Sequence, residues 1–336
     1  RSVWERGALL RKLSEEIKRR AADVVPLEAA DTGNTIASLD NDITLACGYI
    51  NFVAGLGIEI KGESVPATAE NIHFTMRQPY GVVGRIVPFN HPFLFAGAHL
   101  GAPLIAGNTV VLKSPDQSPL SATLMAEICH EVLPPGVVNI VSGEGIVVGD
   151  AIVRHPQVPR IGFTGSVPTG MAIQRSAAEV GIKHITLELG GKNPFIAFPD
   201  ADPAAVAKAA VADMNFNWSG QSCGSTSRLM LHESIYDEVV QSVTDAVSAI
   251  ELGDPEDPAS GMGPVNSAKH YGHVMGLIEA GKQEGARLMT GGARPEGEQF
   301  ENGYWVRPTV FADVTMDMQI GREEVFGPVL SILKWS

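Results

Sequence analysis

Short apolar runs recur between residues 82 and 187: Val82–Val87, Thr109–Leu112, Val137–Val141, Arg160–Phe163 and His184–Leu187. Helix-like stretches at Ser118–Val132, Val147–Arg154 and Pro168–Val180 separate the later ones. The runs are close to continuously apolar rather than alternating, as strands are when both faces of a sheet are covered, and parallel strands need crossovers of about this length. The fold class expected is α/β, with a doubly wound parallel sheet that binds its ligands beyond the carboxyl ends of the strands.

Those ends are therefore the places to look for chemistry. After the first run comes Pro88-Phe89-Asn90-His91-Pro92-Phe93, a side-chain amide in a turn set by two prolines. Asn90 can donate to a developing oxyanion, although an asparagine between prolines also serves simply as a turn former. After the second comes Lys113-Ser114-Pro115-Asp116-Gln117-Ser118-Pro119. It offers a cation and a carboxylate, and it also reads as a helix cap, with Ser118 as N-cap and Pro119 at the first helical position. Gly143-Glu144-Gly145-Ile146-Val147-Val148-Gly149 approaches the G-x-G-x-x-G dinucleotide fingerprint with its last glycine one residue late. Gly165 and Ser166, in Phe163-Thr164-Gly165-Ser166-Val167-Pro168, precede a helix N-terminus able to hold a pyrophosphate, and a plain tight turn would look alike.

Two further stretches carry reactive groups. Cys223 lies in Asn217-Trp218-Ser219-Gly220-Gln221-Ser222-Cys223-Gly224-Ser225, where small polar neighbours leave a thiol reachable. A helix-like run from Pro203 to Phe216 leads in and a strand-like run from Arg228 leads out. Most free cysteines are small buried hydrophobes, but this setting is glycine-rich and polar. Upstream, Glu188 stands where a strand breaks into Gly190-Gly191-Lys192-Asn193-Pro194. A thiol and a carboxylate on glycine-loosened loops make a candidate nucleophile and general base.

The first third reads as two helices, over residues 5–25 and 35–54, and a polar, β-leaning excursion over 61–78. Beyond Cys223 the β-α alternation resumes, with helices near Ser234–Ile250 and Asn266–Glu284 and strands at Val306–Phe311 and Val329–Lys334. His270 and His273 share a helix face, but no carboxylate or cysteine nearby in sequence completes a metal shell, so no metal is expected.

A length of 336 residues suits two domains, and the net charge of −13 disfavours generic nucleic-acid binding. No apolar run is long enough to span a bilayer. Cys47, Cys129 and Cys223 are far apart and form no C-x-x-C pair, which argues against a disulfide framework and fits a reducing cytoplasm. The chain starts Arg1-Ser2-Val3-Trp4 and ends in a strand-like run, so it is expected to be an internal fragment of a longer protein.

In order, PFNHPF, KSPDQSP, FTGSVPTG, LELGGKNP, GQSCGS, GMGPV, GYWVRPTVF and EEVFGPV resemble the motif series of the aldehyde dehydrogenase superfamily, essentially from end to end. The resemblance implies a dinucleotide-binding domain over 1–60 and 79–190, an oligomerisation arm over 61–78, and a truncated catalytic α/β domain over 191–336. It implies oxidation of a small-molecule aldehyde to a carboxylic acid with NAD, NADP being the second cofactor, by a homodimeric or homotetrameric parent. Cys223 would be the nucleophile, Glu188 the general base, and Asn90 an oxyanion donor together with the Cys223 N–H. Lys113 and Asp116 would reach the adenosine ribose, Ser166 the pyrophosphate and Glu324 the nicotinamide ribose, with Phe326 beside the ring. Phe89, where tryptophan is usual, and the transposed Ser114-Pro115 depart from the pattern. A CoA-acylating relative would typically lack the base glutamate, a non-catalytic one would have lost the nucleophile, and an unrelated cysteine hydrolase would need a histidine partner in a recognisable motif.

Overall fold

The structure, a computed structural model, describes all 336 residues. The chain divides into two compact units, residues 1–28 with 40–189, and residues 29–39 with 190–336.

The first unit begins with helix α1 (Val3–Arg19), which buries Leu10, Leu13 and Ile17 at helical spacing behind a Ser2–Glu5 capping box. The sequence reads as one helix over 5–25, but the helix stops at Arg20 and a second, α2 (Ala21–Thr32), follows. At the junction the Arg20 guanidinium reaches Asp23 on α2 at 2.6 Å and both Glu127 and Glu131 on a later helix at 3.5 Å. After α3 (Ile36–Leu56), the excursion over 61–78 forms a minimal antiparallel hairpin, β1 (Ser64–Val65) with β2 (His73–Phe74). Its apolar side chains Val65, Ile72, Phe74 and Met76 are exposed.

The sheet of this unit contains β3 (Val82–Ile86), β4 (Thr109–Lys113), β5 (Val138–Val141), β6 (Arg160–Gly165) and β7 (His184–Leu189). All pair in parallel, in the order β5-β4-β3-β6-β7. The chain thus winds outward from β3 to β5, then returns to the other side of β3, the topological switch at which doubly wound sheets bind ligands. Helices α4 (Pro92–Ile105), α5 (Leu120–Val132), α6 (Asp150–Arg154) and α7 (Val167–Val180) form the crossovers. A helix was expected over Val147–Arg154, but Gly145–Gly149 forms a single wide turn first.

The second unit carries β8 (Pro194–Ala197), β9 (Arg228–His232), β10 (Arg287–Thr290), β11 (Thr309–Ala312) and β12 (Val329–Trp335), in the order β10-β11-β12-β9-β8. Only β10 runs antiparallel. Residues 329–333 of β12 are fully buried between two apolar layers. One layer holds Leu229, Val239, Val243, Val310 and Ile332, the other Val274, Ile278, Phe311, Val329 and Leu333. Helices α8 (Pro203–Asp213), α9 (Tyr236–Ser248) and α10 (Ala268–Gln283) supply these layers, and a single turn, α11 (Gln319–Arg322), precedes β12. β8 and β10 were not legible in the sequence: each has only four residues, with Pro194 opening one and Arg287 the other.

Candidate active site

In the first unit the expected residues cluster at the carboxyl ends of the strands. Lys113 is the last residue of β4, Gly165 the last of β6, and Glu188 the penultimate residue of β7, paired with Thr164. Asn90 lies in the bend between β3 and α4 and is buried. Three tethers fix that bend. Ser118 Oγ donates to the Phe89 carbonyl at 3.0 Å, His91 Nδ1 pairs with Asp42 at 2.9 Å, and Phe93 N–H donates to the buried Glu28 carboxylate at 3.1 Å. Ser118 is thus no simple N-cap. Helix α5 starts at Leu120, and the hydroxyl is spent on the turn that carries Asn90. A bond spanning 29 residues leaves no local trace in the sequence.

The buried Lys113 ammonium pairs with Asp116, and the other Asp116 oxygen accepts from Gly145 N–H at 3.0 Å. The near-fingerprint glycine loop is therefore drawn onto the KSPD segment. At the next strand end, Gly165 has no room for a side chain, because a Cβ would lie 2.5 Å from the Phe163 ring. Helix α7 follows with Ser166 at its N-cap, yet no side chain caps its first turn; Ser166 Oγ bonds Thr169 Oγ1 at 2.9 Å instead. Uncapped N–H groups at a helix N-terminus suit a negatively charged oxygen.

In the second unit, Cys223 is exposed, whereas Cys47 and Cys129 are buried and no disulfide forms. Burial pushes the Cys129 thiol up to about 12 and raises that of Cys47 as well, so neither is a ready thiolate. The Cys223 loop is pinned along its length. Ser38 Oγ donates to Asn217 O at 3.1 Å, Ser219 Oγ to Gly263 O at 2.8 Å, and Asn266 N–H to Gln221 Oε1 at 3.0 Å. Gly220 has φ +67° and approaches Gly327 so closely that a Cβ would lie 2.2 Å from its carbonyl oxygen. Asn193 Nδ2 donates to the carbonyls of Cys223 and Ser225 at 2.6 and 3.2 Å.

The EEVFGPV segment is held in the same unit. Gly190 permits the approach of Glu324, since a Cβ there would lie 1.9 Å from Glu324 Oε2, and the carboxylate accepts from Gly191 N–H. Burial raises the Glu324 carboxyl, partly offset by that hydrogen bond and by Lys192. Burial, helped by Arg228, pushes the Lys192 ammonium down to about 8. Phe326 takes φ +53°, and its carbonyl meets His270 Nε2 at 2.6 Å. Burial lowers His270 to about 4, which leaves a neutral ring whose Nε2–H donates to that carbonyl. Its neighbour His273 stacks on it at 6.0 Å.

The model of the aldehyde dehydrogenase family matches residues 1–336. The chain belongs to this family. It is 44% identical over 342 residues to the aldehyde dehydrogenase tropH of Talaromyces stipitatus, covering 100% of this chain and 66% of that protein. It is 39% identical to a hydroxyisobutyraldehyde dehydrogenase of Mycolicibacterium austroafricanum, over 98% of this chain and 65% of that one. The chain thus spans about two thirds of the length of the curated relatives it matches. Among solved structures, the NAD+ complex of an aldehyde dehydrogenase from Bacillus cereus superposes with a TM-score of 0.95 at 39% identity, covering 100% of this chain and 68% of that one. A 3,6-anhydro-L-galactose dehydrogenase in complex with NAP superposes at 0.96 and 34% identity, over 100% and 70%. The mixed α/β architecture and the parallel sheets are accordingly those of an aldehyde dehydrogenase.

Proposed function

We propose that this chain belongs to an enzyme that oxidises a small-molecule aldehyde to a carboxylic acid with NAD, and with NADP as second cofactor, through a covalent cysteine intermediate. The observation that carries the reading is Cys223: an exposed cysteine on a loop pinned by the side chains of Ser38, Asn193, Ser219 and Gln221, in a chain whose other cysteines are buried.

The residues of the first unit fit a dinucleotide. Asp116 has acceptor lone pairs for a ribose hydroxyl, and its charge disfavours a 2′-phosphate, which supports NAD first. Lys113 supplies the neighbouring cation, and Gly165 with the uncapped turn at Ser166 suits a pyrophosphate. Glu324, carried by the second unit, would take the nicotinamide ribose, and Phe326 would sit beside the ring. Bound there, the nicotinamide supplies the two-electron acceptor for the oxidation.

The protein does the rest. The Cys223 thiolate forms a C–S bond to the aldehyde carbon, and the carbonyl oxygen becomes an alkoxide held by the Asn90 amide and the Cys223 N–H. Oxidation of this hemithioacetal leaves a thioester on Cys223. Glu188, exposed at its strand end, takes a proton from water, whose oxygen then attacks the thioester and releases the acid and the thiolate. The dinucleotide-binding domain would be residues 1–60 and 79–190, and the domain that carries the thiol residues 191–336. The exposed apolar hairpin over 61–78 suits an oligomerisation arm in a homodimer or homotetramer. Three cysteines without a disulfide suit a reducing cytoplasm, and no helix is long and apolar enough to cross a membrane.

Glu188→Gln in the intact protein tests the assignment. A stoichiometric NADH burst should survive while steady turnover falls by roughly 10²–10⁴-fold. Joint loss of burst and turnover would remove Glu188 from deacylation.

A further inference from the structure

We infer that Asn193 is a positioning residue for the nucleophile, fixing the Cys223 peptide so that its thiol is presented in one orientation. This rests on Cys223 being the nucleophile and adds a group that the cysteine chemistry itself does not require.

Asn193 is anchored before it reaches the loop. It precedes Pro194, which confines it to extended backbone, and its carbonyl accepts from Arg228 N–H at 3.2 Å where β8 joins β9. Arg228 also donates Nη2 to the Lys192 carbonyl at 3.0 Å, a second staple on the same segment. From this sheet-bound base the side-chain amide spans 30 residues of sequence to Cys223 O at 2.6 Å and also reaches Ser225 O at 3.2 Å. Both partners are carbonyl oxygens, which only accept, so the NH₂ group faces them and both of its donors are used.

The need for such a clamp follows from the loop itself. Cys223 and Gly224 are exposed, and Gly224, unlike the crowded Gly220, follows the thiol with the least restrained backbone a chain has. Ser225 is held from the far side, its hydroxyl donating to Met214 O at 3.0 Å while Asn215 Nδ2 donates to that hydroxyl at 3.2 Å. Asn193 closes the gap between these fixed points at the carbonyl of the reactive residue. With that carbonyl held, rotation of the Cys223–Gly224 peptide plane is restrained, and with it the stretch of backbone from which the Cα–Cβ bond carrying Sγ departs.

The test compares Asn193→Ala and the isosteric Asn193→Asp in the intact protein, with turnover expressed per titrated Cys223 thiol. Asn193→Ala should lose on the order of 10- to 100-fold in kcat with KM for aldehyde and NAD within about 3-fold, as expected when a reacting group is misplaced by a fraction of an ångström to 1 Å. Asn193→Asp should fall below Ala at pH 8, because an ionised carboxylate facing two carbonyls repels them. Its activity relative to wild type should recover as pH falls and the carboxyl gains an O–H to donate. A role limited to packing would leave Asp equal to Asn and would show no such pH-dependent recovery. If Asn193→Ala does not fold, the isosteric Asp series decides alone. Wild-type kcat per thiol in Asn193→Ala, or a flat pH ratio for Asn193→Asp, overturns the inference. Turnover by Cys223→Ser would instead overturn the assignment of the nucleophile.

Discussion

Replacing Gly190 by alanine tests the placement of Glu324 without touching any group that reacts. The new Cβ would lie 1.9 Å from Glu324 Oε2, 2.8 Å from Cδ and 3.1 Å from Oε1. A carbon–oxygen contact needs about 3.2 Å, so the carboxylate must retreat by more than about 1 Å, at the level of ordinary van der Waals spacing. That retreat forfeits the hydrogen bond from Gly191 N–H. Such a charge-assisted bond contributes about 1.5–3 kcal/mol. The loss in stability should be smaller, about 1–2 kcal/mol, because Glu324 is half-buried and can turn toward water. Alanine also narrows the unfolded ensemble by about 0.4–1 kcal/mol. Function should suffer more. If Glu324 holds the nicotinamide ribose, a displacement of that size costs on the order of 10²-fold in kcat/KM for NAD. Calorimetric titration with NAD and stopped-flow measurement of the NADH burst, beside a thermal melt, separate the two effects. A folded Gly190→Ala protein with NAD affinity and burst rate within 3-fold of wild type would refute the ribose role of Glu324.

Asn90→Ala should lower turnover by two to three powers of ten, the cost of about 3–4 kcal/mol for losing one oxyanion donor, with NAD affinity unchanged in the same titration; near-normal turnover would reduce Asn90 to a turn former. His99 on α4 supplies a pH signature of the first unit: burial, reinforced by the neighbouring Arg85 guanidinium, lowers it from 6.5 to about 3. The unfolded chain takes up the proton first, so this contribution to stability is fully present above pH 6.5 and is lost as pH falls toward 3. Between pH 7 and pH 5 that loss is about 2 kcal/mol. Urea unfolding at the two pH values should therefore show a pH dependence smaller by that amount in His99→Gln, and an identical dependence in both proteins would contradict it.

Much of the fold was legible because apolar periodicity and crossover length are local properties. The strands at Val82, Thr109, Arg160 and His184 begin where their apolar runs begin, and the helices between them follow. Errors arose at the joints between elements. The helix expected over 5–25 stops at Arg20, and α2 follows from Ala21. Ser118 looks like a helix cap and instead holds the turn of Asn90.

The same division applies to the chemistry. Residue types and their order were enough to single out Cys223, Glu188, Asn90 and the KSPD and FTGS segments, because thiols, carboxylates and amides announce their capabilities wherever they stand. Sequence alone had no means of finding Asn193 or Ser118, whose side chains act on carbonyls 30 and 29 residues away. Nor could it show that at Gly190 the Glu324 carboxylate occupies the volume a side chain would need. Composition and pattern thus determined the elements and the reactive inventory. Only tertiary packing decided which backbone carbonyls are held, which glycines are crowded and which thiol faces water, since each depends on atoms brought close by the fold rather than by the chain.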